Sequence, residues 1–382
     1  MSKMKKYFLL SGLNFKDNNR GTAALGYGAF SFLVEKGLLC YQQELLDFQF
    51  VRYPWQLRPD KVAKLKIQDQ EWTTRTKFVL SINNRLHRKR GIIIPFSRYY
   101  WILKNIAFVA AINGGDGLSD IYNRDTFLYR LPDTYKAMSA KIPVIQLPQT
   151  IGPFQDKDNY AIVEKVLKYS SKVFVRDNKF LKELESMGIE YEQTKDLSAY
   201  MYPEKWNIDI IPDSIGLNVS GLCYSNTFRT LSGQFENYPE LIHQLINHFT
   251  QKGKHVYLIP HSYCYGNPEP SNDDIVACKA AYERLEDKSN VTCVDYDMTP
   301  PQIKYVISQM SFFMGSRMHA NFAAIYTGVP LFGLAYSYKF EGAFNSNGLD
   351  GEKQTYMINK ITLDEIPRVI DKIETFYQTT LK

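Results

Sequence analysis

The stretch Asn105–Asn113 reads NIAFVAAIN and runs directly into Gly114 and Gly115. It is apolar without the alternation of a half-exposed strand, which is typical of a strand buried on both faces of a parallel sheet. Val144–Leu147 and Lys172–Val175 repeat this pattern, and amphipathic helical patterns lie between the three runs. This β-α-β rhythm predicts a doubly wound α/β sheet in the first half of the chain.

A second series of apolar runs begins after Pro203–Pro212, a stretch with two prolines and mixed charge. Its predicted strands are Ile215–Val219, His255–Ile259, Val291–Val294, Phe312–Met314 and Val329–Ala335. We therefore expect two doubly wound domains, residues 1–205 and 206–355, that face each other across a cleft, with ligands at the carboxyl ends of the strands. Residues 356–382 contain a last predicted helix, expected to pack back on the N-terminal domain.

Composition excludes several classes of protein. The five cysteines are scattered, with no C-x-x-C pair, so a disulfide framework or a structural zinc site is not expected and a reducing compartment fits best. The N-terminal apolar run is too short for a signal peptide, and the region Ile92–Ile112 is interrupted by a proline and charged residues. These features predict a cytoplasmic protein.

Charge is unevenly distributed along the 382 residues. Thirteen basic and three acidic residues lie between Arg52 and Lys104, a net +10, whereas the whole chain carries +6 and the remainder therefore −4. Aromatic residues are interleaved with this basic block, and no nucleic-acid motif accompanies it. A solvated basic face, a site for a polyanionic acceptor and contact with an anionic bilayer are the open interpretations.

Two loops of the first half are candidate ligand contacts. Gly114, Gly115 and Asp116 follow a buried strand, where glycines let the backbone approach a ligand closely. The alternative is a tight structural turn, and neither a G-x-G-x-x-G fingerprint nor a P-loop is present. Arg176 follows the strand Lys172–Val175, where it suits a carboxylate or phosphate; the alternative is an Arg–Asp pair that caps the next helix.

The most specific stretch is Gly315–Asn321, GSRMHAN, between a short strand and a helix rich in small residues. Ser316 is the predicted N-cap, which places Arg317, Met318 and His319 in the first helical turn. Backbone N–H groups, an arginine and a histidine at a helix start make an anion site with a built-in proton donor. This loop is the first candidate for a catalytic centre.

Two further loops of the second half carry candidate residues. His261 follows the strand His255–Ile259; it is interpreted as a residue facing the cleft, because His261-x-x-Cys264 lacks the second pair that a metal site needs. The following helix, with Ser271 or Asn272 as its predicted cap, carries Asp273 and Asp274 in its first turn, where they favour the helix dipole. After the last strand, Tyr336 and Tyr338 offer stacking surfaces for a sugar and Lys339 a charge for a phosphate.

Taken in order, these pieces resemble the polysaccharide pyruvyl transferase family. The resemblance rests on the R-M-H of 317–319, the G-V-P of 328–330, the stretch Tyr336–Lys339 and the supporting segments NGGDGLSD (113–120), QTIGPF (149–154), FVRD (174–177) and Pro260-His261 with Asp273-Asp274. It covers about residues 7 to 345. Many members carry N-x-G-D where this chain has Asn19-Arg20-Gly21-Thr22, so the polar contact of that aspartate is in doubt.

The resemblance implies a GT-B-like fold of two Rossmann-like domains, with the acceptor on the N-terminal side and the donor on the C-terminal side. It implies transfer of pyruvate from phosphoenolpyruvate onto a sugar of a cell-surface polysaccharide or its lipid-linked precursor, as a ketal with release of phosphate. The essential His and the donor-binding Arg of the family correspond to His319 and Arg317. No metal or cofactor is expected.

The remaining candidates divide between donor and acceptor. Beside Arg317, the expected donor-binding residues are Ser316, Met318, Arg176, Lys339, Gly114, Gly115 and His261. The expected acceptor-binding residues are Asp116, Tyr336, Tyr338, Arg88 and Arg90, the last two from the basic block, which would also allow peripheral contact with the cytoplasmic face of the membrane.

Two alternative functions remain open from the sequence. A nucleotide-sugar glycosyltransferase of the same fold would use a basic residue and a histidine at a helix start to bind a diphosphate. A non-catalytic binding protein of envelope biosynthesis would keep the fold without needing His319 for its function. Response to phosphoenolpyruvate or to a nucleoside diphosphate, and the effect of His319→Ala, discriminate among the three.

Overall fold

The computed structural model describes residues 5–121 and 124–381, which form two compact units. The first unit contains Leu25–Tyr200 and the residues before Phe15; the second contains Phe15–Ala24 and the chain from Met201 onward.

The first unit is built on an eight-stranded sheet. Its strands are β1 (Tyr7–Ser11), β2 (Glu44–Val51), β3 (Lys61–Ile67), β4 (Gln70–Leu80), β5 (Ile106–Ala111), β6 (Val144–Gln149), β7 (Lys172–Val175) and β8 (Glu192–Gln193). The spatial order is β3-β4-β2-β1-β5-β6-β7-β8, and every neighbouring pair is parallel except β3 with β4. The interior strand β6 is buried at all six positions, Gln146 and Gln149 included, as expected for a strand covered on both faces of a parallel sheet.

Seven α-helices belong to this part of the chain: α1 (Arg20–Glu35), α2 (Ser81–Arg90), α3 (Arg98–Lys104), α4 (Arg124–Tyr129), α5 (Pro132–Ser139), α6 (Lys157–Tyr169) and α7 (Leu181–Ser186). Two of the apolar cores in the described part of this unit lie where these helices cover the sheet. One core includes Ile102, Ile106 and Val144; the other includes Val163, Val173 and Leu184.

The second unit has a six-stranded, wholly parallel sheet. Its strands are β9 (Ile215–Asn218), β10 (Val256–Leu258), β11 (Val291–Cys293), β12 (Phe312–Gly315), β13 (Leu331–Ala335) and β14 (Thr355–Met357). Their order, β11-β10-β9-β12-β13-β14, is that of a Rossmann fold. The order reverses between β9 and β12, so a ligand is expected beyond the carboxyl ends of these two strands.

The helices of the second unit are α8 (Gly221–Ser225), α9 (Tyr238–Gln251), α10 (Asp274–Glu283), α11 (Pro300–Ser308), α12 (Met318–Ile325), α13 (Lys339–Ser346), α14 (Gly351–Gln354) and α15 (Ile366–Thr380). Helix α9 has the bounds that its apolar periodicity predicts, and it buries Leu241, Leu245 and Phe249 against the sheet. In the described residues, each helix of both units is too short or too polar to cross a bilayer.

The predicted domain boundaries differ from the structure in two places. The final helix α15 lies on the second unit rather than on the N-terminal domain, because its apolar face, including Val369 and Ile373, enters the same core as Phe249 of α9. The short segment Phe15–Ala24 also belongs to the second unit, although it precedes the first domain's core in sequence.

The basic block forms structure that the sequence patterns did not predict. Strands β2 to β4 and helices α2 and α3 occupy the segment between the first helix and β5. Their charges are partly balanced within the unit: Arg75 pairs with Glu44, and Lys77 pairs with Asp60 at 2.6 Å. These contacts join residues distant in sequence, so local periodicity does not reveal them.

A buried histidine holds α2 against α3 and α5. His87 Nδ1 lies 2.8 Å from the hydroxyl of Tyr99, and Nε2 lies 2.7 Å from that of Ser139. Burial, with a smaller contribution from the nearby charge of Lys136, lowers the pKa of His87 to about 4. The imidazole is therefore neutral in the folded protein at pH 7.

This burial predicts an acid-sensitive first unit. The unfolded-state pKa of a histidine is about 6.5, so the stability that neutral His87 contributes is fully present above that pH and is lost as the pH falls towards 4. The destabilisation caused by His87→Gln should therefore be about 3 kcal/mol larger at pH 7 than at pH 4. Urea unfolding of both proteins across this range measures it, and a pH-independent difference would contradict the prediction.

Candidate active site of the second unit

The loops at the reversal point of the second sheet converge on one buried carboxylate, Asp274. Its Oδ1 accepts hydrogen bonds from Arg317 Nε (3.1 Å), Arg317 Nη2 (2.7 Å) and the backbone N–H of Gly221 (2.8 Å). Its Oδ2 accepts from the backbone N–H groups of His261 (3.0 Å) and Ser262 (2.9 Å). The side chain is fully buried, so Asp274 ties the ends of β9, β10 and β12 together.

The structure corrects the predicted cap of α10. The N-cap is Asp273, not Ser271 or Asn272, and its Oδ1 accepts from the N–H groups of Ile275 and Val276. Sequence reasoning assigned Asp274 only a favourable interaction with the helix dipole. Its main role in the structure is to hold Arg317, 43 residues further along the chain.

Arg317 itself is the N-cap residue of α12, with φ −108° and ψ 133°. The predicted cap, Ser316, is buried and its hydroxyl lies 2.7 Å from that of Tyr238 instead. The backbone N–H of Arg317 donates to Asn218 Oδ1 at the end of β9 (2.9 Å). Met318 is the first helical residue and His319 the second, so both lie beside the N–H groups that have no partner within the helix.

The guanidinium of Arg317 is held on one side only. Nη2 donates to the carbonyl and the side-chain oxygen of Asn272 as well as to Asp274, while Nη1 makes no hydrogen bond within the described residues. Burial by itself lowers the pKa of Arg317, but the Asp274 carboxylate keeps that pKa above its usual value. With its side chain 11% exposed, Arg317 is a permanently charged and pre-oriented hydrogen-bond donor.

His319 lies against the start of α1, within the second unit. A Cβ built on Gly21 would lie only 2.5 Å from His319 Nδ1 and 2.6 Å from Cγ. The ring of Phe322 also contacts that of His319, edge to face, with the ring centres 5.5 Å apart. Gly21 belongs to the segment in which the sequence departs from the family pattern. The close approach of His319 leaves no room for a side chain at position 21, which explains why a glycine stands there.

Arg20 fixes that segment on the second unit. Its Nε donates to the carbonyl of Met298 (3.1 Å), its Nη2 pairs with Asp297 (3.0 Å), and its guanidinium lies 4.4 Å from the ring centre of Tyr263. Its backbone N–H donates to the carbonyl of His261 (3.1 Å). Sequence reasoning missed Arg20, because Met298, Asp297, Tyr263 and His261 are all distant along the chain and only its bond to the carbonyl of Asp17 is local.

The packing of Gly21 against His319 leads to a testable prediction. Gly21→Ala should displace the imidazole and lower kcat by about 10²-fold, as misplacement of a catalytic group by about 1 Å does, with a stability loss of about 1–3 kcal/mol. Gly342→Ala on α13 is the matched control, because its Cβ would meet nothing within 4 Å. Equal activities of the two variants would remove the positioning role from Gly21.

His261 is buried at the same site as a neutral ring. Burial lowers the pKa of His261 well below its usual value, and the charges of His319 and Arg317 act in the same direction. Among the described residues, no group of three or more His, Cys, Asp or Glu is arranged to hold a metal ion. Donor binding by His261 stays a prediction, and as a neutral ring it would act by hydrogen bonding rather than by charge.

The loop after β13 adds a phenol and a cation beside Arg317. Burial raises the pKa of the Tyr336 hydroxyl, while the charges of Arg317 and Lys339 lower it, which indicates that both cations lie near this phenol. Lys339 is half-buried at the first position of α13, whereas Tyr338 is 76% exposed. Tyr336, predicted for the acceptor, thus lies near Arg317 and Lys339, which were predicted for the donor.

Cys223 is excluded as a nucleophile at this site. Its side chain is buried near Arg317, and burial raises the pKa of the thiol to about 12 in spite of the opposing effect of that cation. A thiol with this pKa carries almost no thiolate at neutral pH.

The candidate residues of the first unit form a separate group at the ends of β5 and β7. Gly114 and Gly115 have φ values of 68° and 91°, a conformation that favours glycine. Arg176 Nη1 donates to buried Asp196 (2.6 Å) and its Nε to the Thr150 hydroxyl (3.1 Å). Burial alone lowers the pKa of Arg176, but the Asp196 carboxylate keeps that pKa above its usual value.

This geometry differs from the structural alternative considered for Arg176, an Arg–Asp pair that caps the next helix. The guanidinium pairs with Asp196, 20 residues later, rather than with the adjacent Asp177 that would cap a helix. Asp116 is half-buried and contributes to the charge around Arg176. Arg88 and Arg90 are exposed in the last turn of α2. Donor and acceptor roles for these residues stay predictions.

Solved structures place the fold in a known class. A UDP-GlcNAc 2-epimerase from Methanocaldococcus jannaschii matches with a TM-score of 0.50 and 9% identity, over 97% of this chain and 92% of that one. A candidate UDP-N-acetylglucosamine 2-epimerase from Listeria monocytogenes matches with a TM-score of 0.51 and 9% identity, over 97% and 88%. With its two Rossmann-like sheets, the chain has a GT-B-like fold, as predicted.

The sequence itself identifies the family. The model of the family described as polysaccharide pyruvyl transferase matches residues 23–338. The chain belongs to this family, which confirms the resemblance carried by its motifs. No curated protein sequence gives a significant match.

Proposed function

We propose that this polysaccharide pyruvyl transferase uses phosphoenolpyruvate as its donor and builds a pyruvate ketal on a sugar of a cell-surface glycan. The observation that carries the proposal is the arrangement of Arg317 at the start of α12, oriented by Asp274, with His319 two residues further on. Two parts of the proposal, the transferred pyruvyl group and the polysaccharide acceptor, rest on membership of the family. The donor and the ketal product are what the resemblance to the family implies, and the chemistry of the site is compatible with both.

Charge supports an anionic donor. Phosphoenolpyruvate presents a phosphate and a carboxylate, which suit the N–H groups of the α12 N-terminus and the guanidinium of Arg317. Because Asp274 balances one positive charge, the donor needs further cations. Lys339 and protonated His319 are the nearest candidates on the loops that surround Arg317.

The proposed reaction begins with proton transfer from His319 to the methylene carbon of the donor. The neighbouring carbon becomes electrophilic, and a sugar hydroxyl adds to it and loses its proton to the imidazole. A second hydroxyl of the same sugar then displaces phosphate, which carries away that hydroxyl's proton. One donor and one diol thus give one ketal and one hydrogen phosphate, and His319 ends in its starting state. Two roles for one group, acid and then base, are common in enzymes.

A cavity of the first unit is the proposed acceptor site. It has a volume of about 180 Å³ and lies beside Leu10 and Ser11 at the end of β1. Its walls include Phe48 and Phe50, stacked at 5.6 Å, and the ion pair of Asp133 with Lys136 at 2.6 Å. Aromatic faces beside a few polar groups suit a sugar ring.

Donor binding can be measured on the intact chain by thermal unfolding. We expect phosphoenolpyruvate at about 100 times its Kd to stabilise the protein by about 2.7 kcal/mol, and we expect Arg317→Gln to abolish this shift. Arg284→Gln, on the other end of α10 and paired with Glu240, is the matched control. Stabilisation by UDP and none by phosphoenolpyruvate would instead favour a nucleotide-sugar glycosyltransferase.

A further inference from the structure

Residues 81–104 form a surface that the proposed reaction does not use. This segment, which we call the basic aromatic segment, contains six cations and no carboxylate. It runs through α2, the loop 91–97 and α3. The rest of the basic block differs, because strands β2 to β4 and their loops contain the carboxylates Glu44, Asp60 and Glu71 that pair with its cations.

Apolar side chains of the segment lie at the surface. Phe96 is 79% exposed, Trp101 53% and Ile92 47%. The rings of Phe96 and Trp101 are 6.4 Å apart, and Phe96 has a φ of 58°, which large side chains rarely adopt. A cluster of large exposed apolar groups usually marks an interaction site. Two aromatics that the sequence grouped with them, Trp72 and Tyr99, are buried in the core instead.

The cations of α2 lie close in sequence to these exposed apolar side chains. Arg85, Arg88, Lys89 and Arg90 are exposed, and within the described residues none of them pairs with a carboxylate. Three of them belong to the last helical turn, just before the loop that carries Ile92 and Phe96. Among the cations of the segment, Arg98 is the one that pairs with a carboxylate in the described part of the chain, with Asp60 at 2.7 Å.

The platform beneath these groups is rigid. His87 bonds α2 to Tyr99 of α3 and to Ser139 of α5, and Tyr99 packs on Phe48 of the sheet with ring centres 5.6 Å apart. The segment that carries the cations and the exposed apolar side chains is therefore attached to the sheet and to α5 through its buried side chains.

We propose that the basic aromatic segment docks the enzyme on a bilayer that contains anionic phospholipids. Lipid headgroups neutralise the cations, while Ile92, Phe96 and Trp101 insert at the acyl boundary. A water-soluble polyanion would neutralise the cations but leave these apolar side chains in water. The observations thus favour a membrane surface over a soluble glycan or a nucleic acid. The proposal does not depend on the donor.

Vesicle sedimentation of the full chain tests the docking. We expect binding to vesicles of phosphatidylglycerol and phosphatidylethanolamine, weakened by salt, and little binding to phosphatidylcholine alone. The variant Arg88→Glu, Lys89→Glu, Arg90→Glu should lower partitioning by at least about tenfold. Phe96→Ser with Trp101→Ser should also weaken it, with less effect on its salt dependence.

The matched control reverses the same number of charges on β3, at exposed Lys61, Lys64 and Lys66. Circular dichroism would verify that each variant is folded. If the β3 variant lost as much binding as the α2 variant, net charge alone would account for it and the proposed surface would be wrong. Absence of binding to anionic vesicles, or binding unaffected by the aromatic changes, would also overturn the proposal.

Discussion

Replacing His319 with glutamine is expected to lower kcat by about 10²–10⁴-fold, the usual contribution of a general acid–base group. Glutamine keeps much of the size of the ring that packs on Gly21 and Phe322, so the fold should be retained, but it cannot deliver a proton. Phosphate release from phosphoenolpyruvate in the presence of a sugar acceptor measures the loss. His243→Gln on α9, hydrogen-bonded to Asn247, is the matched control and should leave kcat unchanged.

The pH profile separates proton transfer from a structural role. In the wild type, kcat/KM should fall as the pH rises and the imidazolium of His319 loses its proton. This limb should be missing from His319→Gln at its lower rate. A profile of the wild type that is flat between about pH 6 and 9 would remove His319 from the acid role.

Replacing Asp274 with asparagine is expected to lower the free energy of unfolding of the second unit by about 3–5 kcal/mol, because it leaves the buried guanidinium of Arg317 without its counter-charge. An amide nitrogen would also face N–H groups, such as those of Gly221 or His261, that need an acceptor. Urea unfolding measures the loss. Under conditions where the variant is folded, kcat/KM should fall as well, because Arg317 is no longer oriented.

Asp273→Asn is the control for this change. Asparagine caps a helix about as well as aspartate, so the N–H groups of Ile275 and Val276 keep their acceptor. The N–H of Cys264 loses its bond to the second carboxylate oxygen, so the expected loss is about 1–3 kcal/mol, smaller than that of Asp274→Asn. If Asp274→Asn were as mild as Asp273→Asn, Asp274 would not be the residue that organises the site.

The strands could be predicted because their residues are buried on both faces. Lys172–Val175 has the predicted bounds, and β5, β6 and β9 match within two residues. Strand β4 was not predicted, because charged residues such as Arg75 and Lys77 alternate along it and pair with carboxylates on other parts of the unit. The prediction for α15 was wrong because the sequence of an amphipathic helix shows that it has an apolar face but not against which core that face packs.

Within the site, Arg317 and His319 could be found because a strand, a helix start and two functional side chains fall in one short stretch. The cap was wrong by one residue, since Ser316 has a partner, Tyr238, that is distant in sequence. Asp274 and Gly21 could not be assigned their roles, because each depends on a contact made only in the folded chain. Local sequence therefore points to candidate reacting groups more readily than to the residues that position them.

Mass analysis of the products from phosphoenolpyruvate and a panel of glycans tests the central claim most directly. We predict a glycan heavier by one ketal-linked pyruvate, formed together with one phosphate per ketal and missing from reactions with His319→Gln. Unchanged glycans with intact phosphoenolpyruvate across the panel, or products that appear only with a nucleotide sugar, would contradict it.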